Sequence, residues 1–189
     1  IRQILRYSAN NKTFSILNLA GLVLGISSAL LIYAFVSFEL SFDGFHDDAT
    51  DIYRVLGVDE AIGVSNNEVG IVMAPLAPAM ENEIAQVEAT VRMQGQGRSL
   101  VTVGEESYYT QNSFSAEPSF FEIFSFELLQ GTVGVVLTEP RTAVVTEDFG
   151  RILFGEDNPV GQVVRLNNAQ DIEIVGVMEN PPANSHIQA

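Results

Sequence analysis

The sequence predicts an α+β protein in which one N-terminal transmembrane helix is followed by a mixed α+β domain outside the membrane. Residues 13–38 contain no charged side chain, and all 24 Asp and Glu residues follow them. The rest of the chain alternates short strand patterns with short helix patterns. We expect the outer domain, residues 39–189, to be two-lobed and incomplete at its C-terminal end.

The uncharged run 13–38 is long enough to cross a membrane, because about 20 helical residues span the hydrocarbon core. Arg2, Arg6 and Lys12 precede it, so the positive-inside rule places the N-terminus in the cytoplasm. A secretory signal peptide is the alternative, although its apolar region would normally end sooner. Residues 1–12 form either an amphipathic segment at the cytoplasmic interface or the start of the membrane helix.

Small residues recur at every fourth position of the run, at Gly21, Gly25 and Ala29. Residues four apart share one face of a helix, and small side chains there let a second helix approach closely. We predict that this stripe packs against other membrane helices, with lipid around the remaining faces. A solitary anchor that tolerates glycine is the alternative.

The outer domain is predicted from β-branched and aromatic enrichment in its strands and from turn residues between them. Pro75 and Pro78 mark the start of its first helix, where the missing N–H costs nothing. The predicted elements, in chain order, are a strand at 52–58, a helix at 75–84, strands at 87–93 and 99–103, a strand around 108–109, a helix at 118–124, a strand at 142–145, a helix at 147–154, and a hairpin of 163–166 with 172–177.

The outer domain is strongly acidic. The 24 acidic residues and six of the nine basic residues lie after residue 38, which gives a net charge of −18 there. Phosphates would be repelled, so nucleic acid is excluded as a partner, and docking on anionic lipid is disfavoured. The acidic, Lys-poor composition fits a saline habitat or an ordinary solvated surface equally well. The absence of cysteine excludes disulfides and thiolate sites.

A cluster of one histidine and four aspartates follows the apolar run, at Asp43, His46, Asp47, Asp48 and Asp51. Such side chains could hold a divalent cation, but their spacing is not that of an EF-hand loop. The paired histidines of a zinc helix are also missing. We therefore predict a solvated acidic turn and no metal site.

No catalytic constellation is recognisable. Ser185 and His186 are adjacent, and adjacent residues rarely reach the geometry of a nucleophile and its base. The chain has neither a nucleophile elbow nor a phosphate-binding loop, so we predict that it is not an enzyme and holds no cofactor. An aromatic run is expected to fill the core; its members are Phe114, Phe120, Phe121, Phe124 and Phe126.

Several short segments of the chain resemble the motifs of one protein family, in the same order. They are 39–46 with 52–55, 76–79 leading to 87–92, 114–126 ending at Gly131, 144–147, 154–161, 175–177 and 181–186. Together they resemble the N-terminal part of MacB/FtsX-like ABC transporter permeases. The chain departs from the family pattern at Ala85-Gln86, where Pro-Glu is common.

The resemblance implies a permease subunit of the bacterial inner membrane, with a MacB-like periplasmic core domain at 39–189. It implies a separate cytoplasmic ABC ATPase that binds the ATP, and further permease helices or a second permease copy as partners. It also implies mechanotransmission, in which membrane-helix motion reaches the outer domain. The alternative is a single-pass anchored binding or sensor domain whose acidic surface contacts a cationic ligand.

The motif residues are expected to have structural roles rather than to bind substrate. Aromatic members should fill the core, glycines should meet backbone demands, and Pro159 should fix a turn. These residues are Phe121, Phe124, Phe154, Gly155, Pro159, Gly161, Gly176, Pro182, Asn184, Ser185 and His186.

Overall fold

The chain divides between Phe42 and Asp43 into an apolar helical unit and a mixed α/β unit. The computed structural model describes residues 12–58 and 68–188. The predicted interfacial segment 1–12 lies outside the described residues except for Lys12. The prediction of an apolar helix followed by a mixed helix and sheet domain is confirmed.

Helix α1, Lys12–Glu39, has 28 residues and no buried side chain. At 1.5 Å per residue it is about 42 Å long, more than the roughly 30 Å of hydrocarbon in a bilayer, so a tilt is expected if it spans. It is the one helix of the described residues that is long and apolar enough to cross a membrane, a test that a signal sequence would also pass.

The second unit contains ten strands and three helices within its described residues. The strands are β1 (Gly57–Val58), β2 (Glu68–Val69), β3 (Met93–Gly95), β4 (Leu100–Val103), β5 (Glu106–Tyr109), β6 (Phe114–Ala116), β7 (Leu128–Gln130), β8 (Thr142–Thr146), β9 (Val163–Leu166) and β10 (Gln170–Met178). The helices are α2 (Leu76–Glu83), α3 (Phe120–Ile123) and α4 (Glu147–Phe154).

Strand β10 is the centre of a six-stranded sheet ordered β5-β4-β9-β10-β7, with β8 also paired to β10. Its first half pairs antiparallel with β9, while β8 runs parallel to it from Glu173 onward. Strand β7 pairs with its C-terminal end. Two small antiparallel pairs, β1 with β2 and β3 with β6, lie outside this sheet.

Two groups of buried side chains form the core. The first, here called the valine cluster, contains Val101, Val145, Leu153, Val164, Ile174 and Val177. The second, here called the phenylalanine cluster, contains Phe120, Phe121, Phe126, Val136 and Met178. Strand β10 contributes to both, because Ile174 and Val177 belong to the first and Met178 to the second.

Several predicted elements are confirmed. The helix expected at 147–154 is α4, with these same ends, and the helix expected at 75–84 is α2. The C-terminal hairpin forms between β9 and β10, but β10 begins earlier than expected, at Gln170. The reason is a tight turn in which Asn167 and Asn168 adopt positive φ, a conformation that asparagine tolerates better than most residues.

Two predicted strands are wrong over most of their length. Residues 87–92 form no strand, and two of their N–H groups bond to side chains: the Thr90 N–H donates to Glu81 and the Arg92 N–H to Glu117. Of 52–58, only Gly57–Val58 pairs. Sequence patterns also failed to indicate the short strands β6 and β7, whose pairing partners are distant in the chain.

Gly176 is tightly enclosed in β10. A Cβ atom there would lie 3.0 Å from the Gln130 carbonyl oxygen and 3.3 Å from methyl groups of Val136 and Val144. We predict that Gly176→Ala lowers the free energy of unfolding by about 1–3 kcal/mol, because the surrounding strands must shift. Urea unfolding of the full chain in detergent measures this change.

The matched control is Gly95→Ala, also in a strand, where the nearest atom to a new Cβ is a Phe114 ring carbon at 3.8 Å. That distance is ordinary van der Waals contact, so stability should change by less than about 1 kcal/mol. Equal losses in the two variants would contradict the close-packing explanation.

Candidate functional site

The second unit begins with a compact turn, residues 43–51, called the exit turn because it directly follows the helical unit. Asp43 has a φ of 53°, which Asp tolerates because its short side chain can bond locally. The Asp43 N–H donates to the Asn184 carbonyl at 2.9 Å, and further backbone bonds join His46 to Asp43 and Ala49 to His46. The turn is thus bonded both internally and to the far end of the chain.

Both carboxylate oxygens of Asp43 contact His186. The His186 backbone N–H donates to Oδ1 at 2.9 Å, and His186 Nδ1 lies 2.6 Å from Oδ2. Partial burial raises the pKa of the Asp43 carboxyl, but its hydrogen bonds and electrostatic interaction with His186 lower the pKa by more, so the net pKa lies below the usual Asp value. The two residues are 143 positions apart, and the contact therefore joins the two ends of the unit.

The His186 side of this contact belongs to residues 181–188, here called the Pro-His segment. Ser185 is buried, its N–H donates to the Pro182 carbonyl at 3.0 Å, and its Oγ accepts from the Ile187 N–H at 3.1 Å. The Gln188 amide donates to the carbonyls of Pro182 and Ser185. Local hydrogen bonds thus hold the segment in shape where it meets Asp43.

His46 packs inside the phenylalanine cluster, although the sequence predicted it in a solvated turn. It is 5% exposed, and its ring centroid lies 4.0 Å from that of Phe45, 5.2 Å from Phe126 and 5.3 Å from Phe124. The Ser125 backbone N–H donates to His46 Nδ1 at 3.1 Å. The prediction of a solvated side chain at His46 is wrong, because aromatic burial outweighs hydration here.

The hydrogen bond at Nδ1 fixes the protonation of the His46 ring. Since Nδ1 accepts, the neutral ring carries its proton on Nε2, which is buried without a hydrogen-bond partner among the described residues. Burial lowers the pKa of His46 below 6.5 and outweighs the carboxylates of Asp43 and Asp47, which raise it. His46 is therefore held neutral.

The rest of the acidic cluster behaves as a surface turn. Asp47, Asp48 and Asp51 are exposed, and the Asp47 N–H donates to Ser125 Oγ at 2.9 Å. Among residues 12–58 and 68–188, no three His, Asp or Glu side chains are grouped as metal ligands. The cluster instead separates into exposed carboxylates and the two inward contacts of Asp43 and His46.

The remaining motif residues surround this junction or support the sheet. Phe121 is buried and Phe124 half-buried in the phenylalanine cluster, and Phe154 packs half-buried on the valine cluster. Gly155 follows the last residue of α4 with a φ of 64°, a positive φ that favours glycine. Pro159 contacts the Gly150 position of α4, and Gly161 is exposed with a φ of 86°.

Phe114 of the aromatic run is 38% exposed, so its predicted burial is wrong.

The predicted helix-packing residues Gly21, Gly25 and Ala29 are exposed along α1. A Cβ added at either glycine would meet nothing within 4 Å. Their packing role stays a prediction about partners outside the described residues. Sequence reasoning missed the Asp43–His186 contact, although both residues lay in motifs that it had singled out.

We predict that acid destabilises the second unit in two steps. The lowered pKa of His46 means that stability is full above about pH 6.5 and falls as the pH drops through its native pKa. A second loss follows below 3.8 as Asp43 becomes protonated. His46→Phe should keep the aromatic packing and abolish the first step, as measured by urea unfolding of the full chain from about pH 7.5 to about pH 5.

The control is His186→Asn, which removes the chain's other histidine and leaves His46 in place. It should retain the loss between about pH 7.5 and about pH 5. If His46→Phe kept that loss and His186→Asn removed it, the assignment of the first step to His46 would be wrong.

Comparison with known proteins relates the chain to the periplasmic domains of permeases. The family model of the MacB-like periplasmic core domain matches residues 15–188. A domain of a candidate permease protein from Porphyromonas gingivalis is 32% identical with a TM-score of 0.54, over 60% of this chain and 48% of that one. No match is found among curated proteins.

A second solved structure, the periplasmic region of MacB from Actinobacillus actinomycetemcomitans, has the same TM-score of 0.54 at 16% identity. It matches over 69% of this chain and 61% of that one, and at this identity it supports the fold alone. The chain thus spans less than two thirds of either structure. Because the family model covers nearly all of its residues, the chain belongs to the MacB-like periplasmic core domain family.

Proposed function

We propose that the chain is part of a permease subunit of an ATP-binding-cassette transporter in the bacterial inner membrane. Residues 1–12 lie at the cytoplasmic side, residues 13–38 cross the bilayer, and residues 39–189 form the periplasmic domain. The basic residues before the apolar run support this orientation. In this proposal a separate cytoplasmic ATPase supplies the energy.

In this proposal the chain has no catalytic role and transmits motion. The supporting observation is the double contact of Asp43 with His186. Asp43 is covalently joined to the helical unit through Phe42, so a displacement of α1 pulls first on the exit turn. The bonds from Asp43 to Asn184 and His186 pass that displacement to the Pro-His segment, which begins three residues after the last residue of β10.

Several contacts hold the exit turn against the rest of the second unit. His46 is enclosed by three aromatic rings and bonded to the Ser125 backbone, while the Asp47 N–H bonds to the Ser125 side chain. These contacts attach the turn to the sequence between α3 and β7. A pull on the turn therefore acts on packed, hydrogen-bonded structure instead of being absorbed by the turn itself.

The Asp43–His186 pair could also suggest general acid–base chemistry. The neighbouring hydroxyl, however, belongs to the buried Ser185, whose Oγ accepts the Ile187 N–H. A nucleophile would need exposure and a base within hydrogen-bond reach. These contacts favour a structural role for the pair.

Coupling is tested in the complete permease with its ATPase in lipid nanodiscs, by hydrogen exchange of 43–51 and 182–188 with and without a non-hydrolysable ATP analogue. We expect the analogue to change exchange in both segments. Asp43→Asn tolerates the same positive φ but loses the charge, so the change in 182–188 should shrink at least about twofold.

Asp48→Asn is the control, since Asp48 is an exposed member of the same turn. It should keep the response of the parent protein. A full response in Asp43→Asn, with the complex intact, would contradict transmission through this contact.

The small-residue stripe is tested by assembly. Gly21→Leu and Gly25→Leu should reduce the ATPase and permease recovered together on affinity purification by about tenfold, because leucine prevents close helix approach. Ser27→Leu makes a similar change on the opposite face of α1 and should assemble normally. Normal assembly of both glycine variants would contradict the packing role, while their outer domains should remain folded in every case.

A further inference from the structure

The second unit contains an open hollow beside the junction of the exit turn and the Pro-His segment. Its volume is about 350 Å³, within the range of small-molecule sites. Three apolar rings, from Phe45, Phe126 and Pro182, form part of its lining. Two carboxylates, from Glu127 and Glu179, and the amide of Asn180 complete it. The hollow thus combines an apolar surface with two acidic side chains.

The backbone places Glu127 and Glu179 opposite each other on adjacent strand ends. The Glu179 N–H donates to the Glu127 carbonyl at 2.9 Å, which continues the pairing of β10 with β7 by one more residue. Both side chains are exposed and both line the same hollow. Like charges placed opposite each other across two strands repel, so a cation bound between them would be favoured.

The chain provides no such cation within its described residues. Arg92 bonds to Glu117, Arg165 to Asp171, and Arg151 to Glu147 and Asp148. Arg98 lies over the Tyr109 ring. No arginine lines the hollow or forms an ion pair with Glu127 or Glu179 in the described ranges, and no lysine follows Lys12.

We propose that this hollow binds an organic cation, specifically an ammonium group attached to an apolar body. The ammonium group would lie near Glu127 and Glu179, where Coulomb attraction is strongest. The apolar body would contact Phe45, Phe126 and Pro182, and an aromatic face can additionally attract the cation. A bare divalent ion fits less well, because it prefers a shell of oxygen ligands to an apolar wall. This inference does not depend on the proposed transport function.

The test uses calorimetric titration of the full chain in an uncharged detergent with benzyltrimethylammonium as the probe. We expect one-to-one binding. Benzyl alcohol, which lacks the charge, and tetramethylammonium, which lacks the apolar body, should each bind at least about tenfold more weakly. Equal affinity for benzyl alcohol would overturn the role of charge, and equal affinity for tetramethylammonium would overturn the role of the apolar wall.

Variants then locate the site. Glu127→Gln and Glu179→Gln should each weaken benzyltrimethylammonium binding about three- to tenfold, since one attractive charge is lost at short range. Both residues are exposed, so the folded state should persist, and unchanged thermal unfolding without the probe verifies it. Glu139→Gln removes an exposed charge elsewhere and should leave the affinity unchanged. Absent binding, or equal losses in all three variants, would overturn the proposal.

Discussion

The bidentate hold of the Asp43 carboxylate on His186 closes the second unit, because it joins the first residue of that unit to the segment that follows its central strand. Hydrogen bonds to a charged oxygen are stronger than hydrogen bonds between neutral groups. The contact is nevertheless open to solvent, because 72% of the His186 side chain is accessible. Solvent screening therefore limits its contribution to stability. Its importance is positional, since it specifies where the exit turn meets the Pro-His segment.

The core shows why that position matters. Strand β10 contributes Ile174 and Val177 to the valine cluster and Met178 to the phenylalanine cluster, and the Pro-His segment follows it within a few residues. The exit turn inserts His46 among the aromatic rings of the phenylalanine cluster. A buried imidazole in this place links the junction to the apolar core.

The second unit is acidic and has few arginines, and most of these arginines interact with a nearby side chain. Most of its arginines lie beside a carboxylate or an aromatic ring within the described residues. Glu127, just before β7, and Glu179, just after β10, form no ion pair within the described residues and lie next to an apolar hollow. These two residues line the hollow together with apolar rings and without an arginine from the described ranges, an arrangement that the overall composition did not indicate.

The sequence by itself determined the apolar helix, α2, α4 and the β9–β10 hairpin, because each depends on interactions between residues close in the chain: an uncharged run, helix spacing, and an asparagine turn. It also contained the motifs of the family. Tertiary structure alone decided that residues 87–92 bond to side chains, that His46 is buried, and that Asp43 meets His186. These outcomes depend on contacts between residues up to 143 positions apart, whose free energy depends on packing and burial that no local pattern encodes.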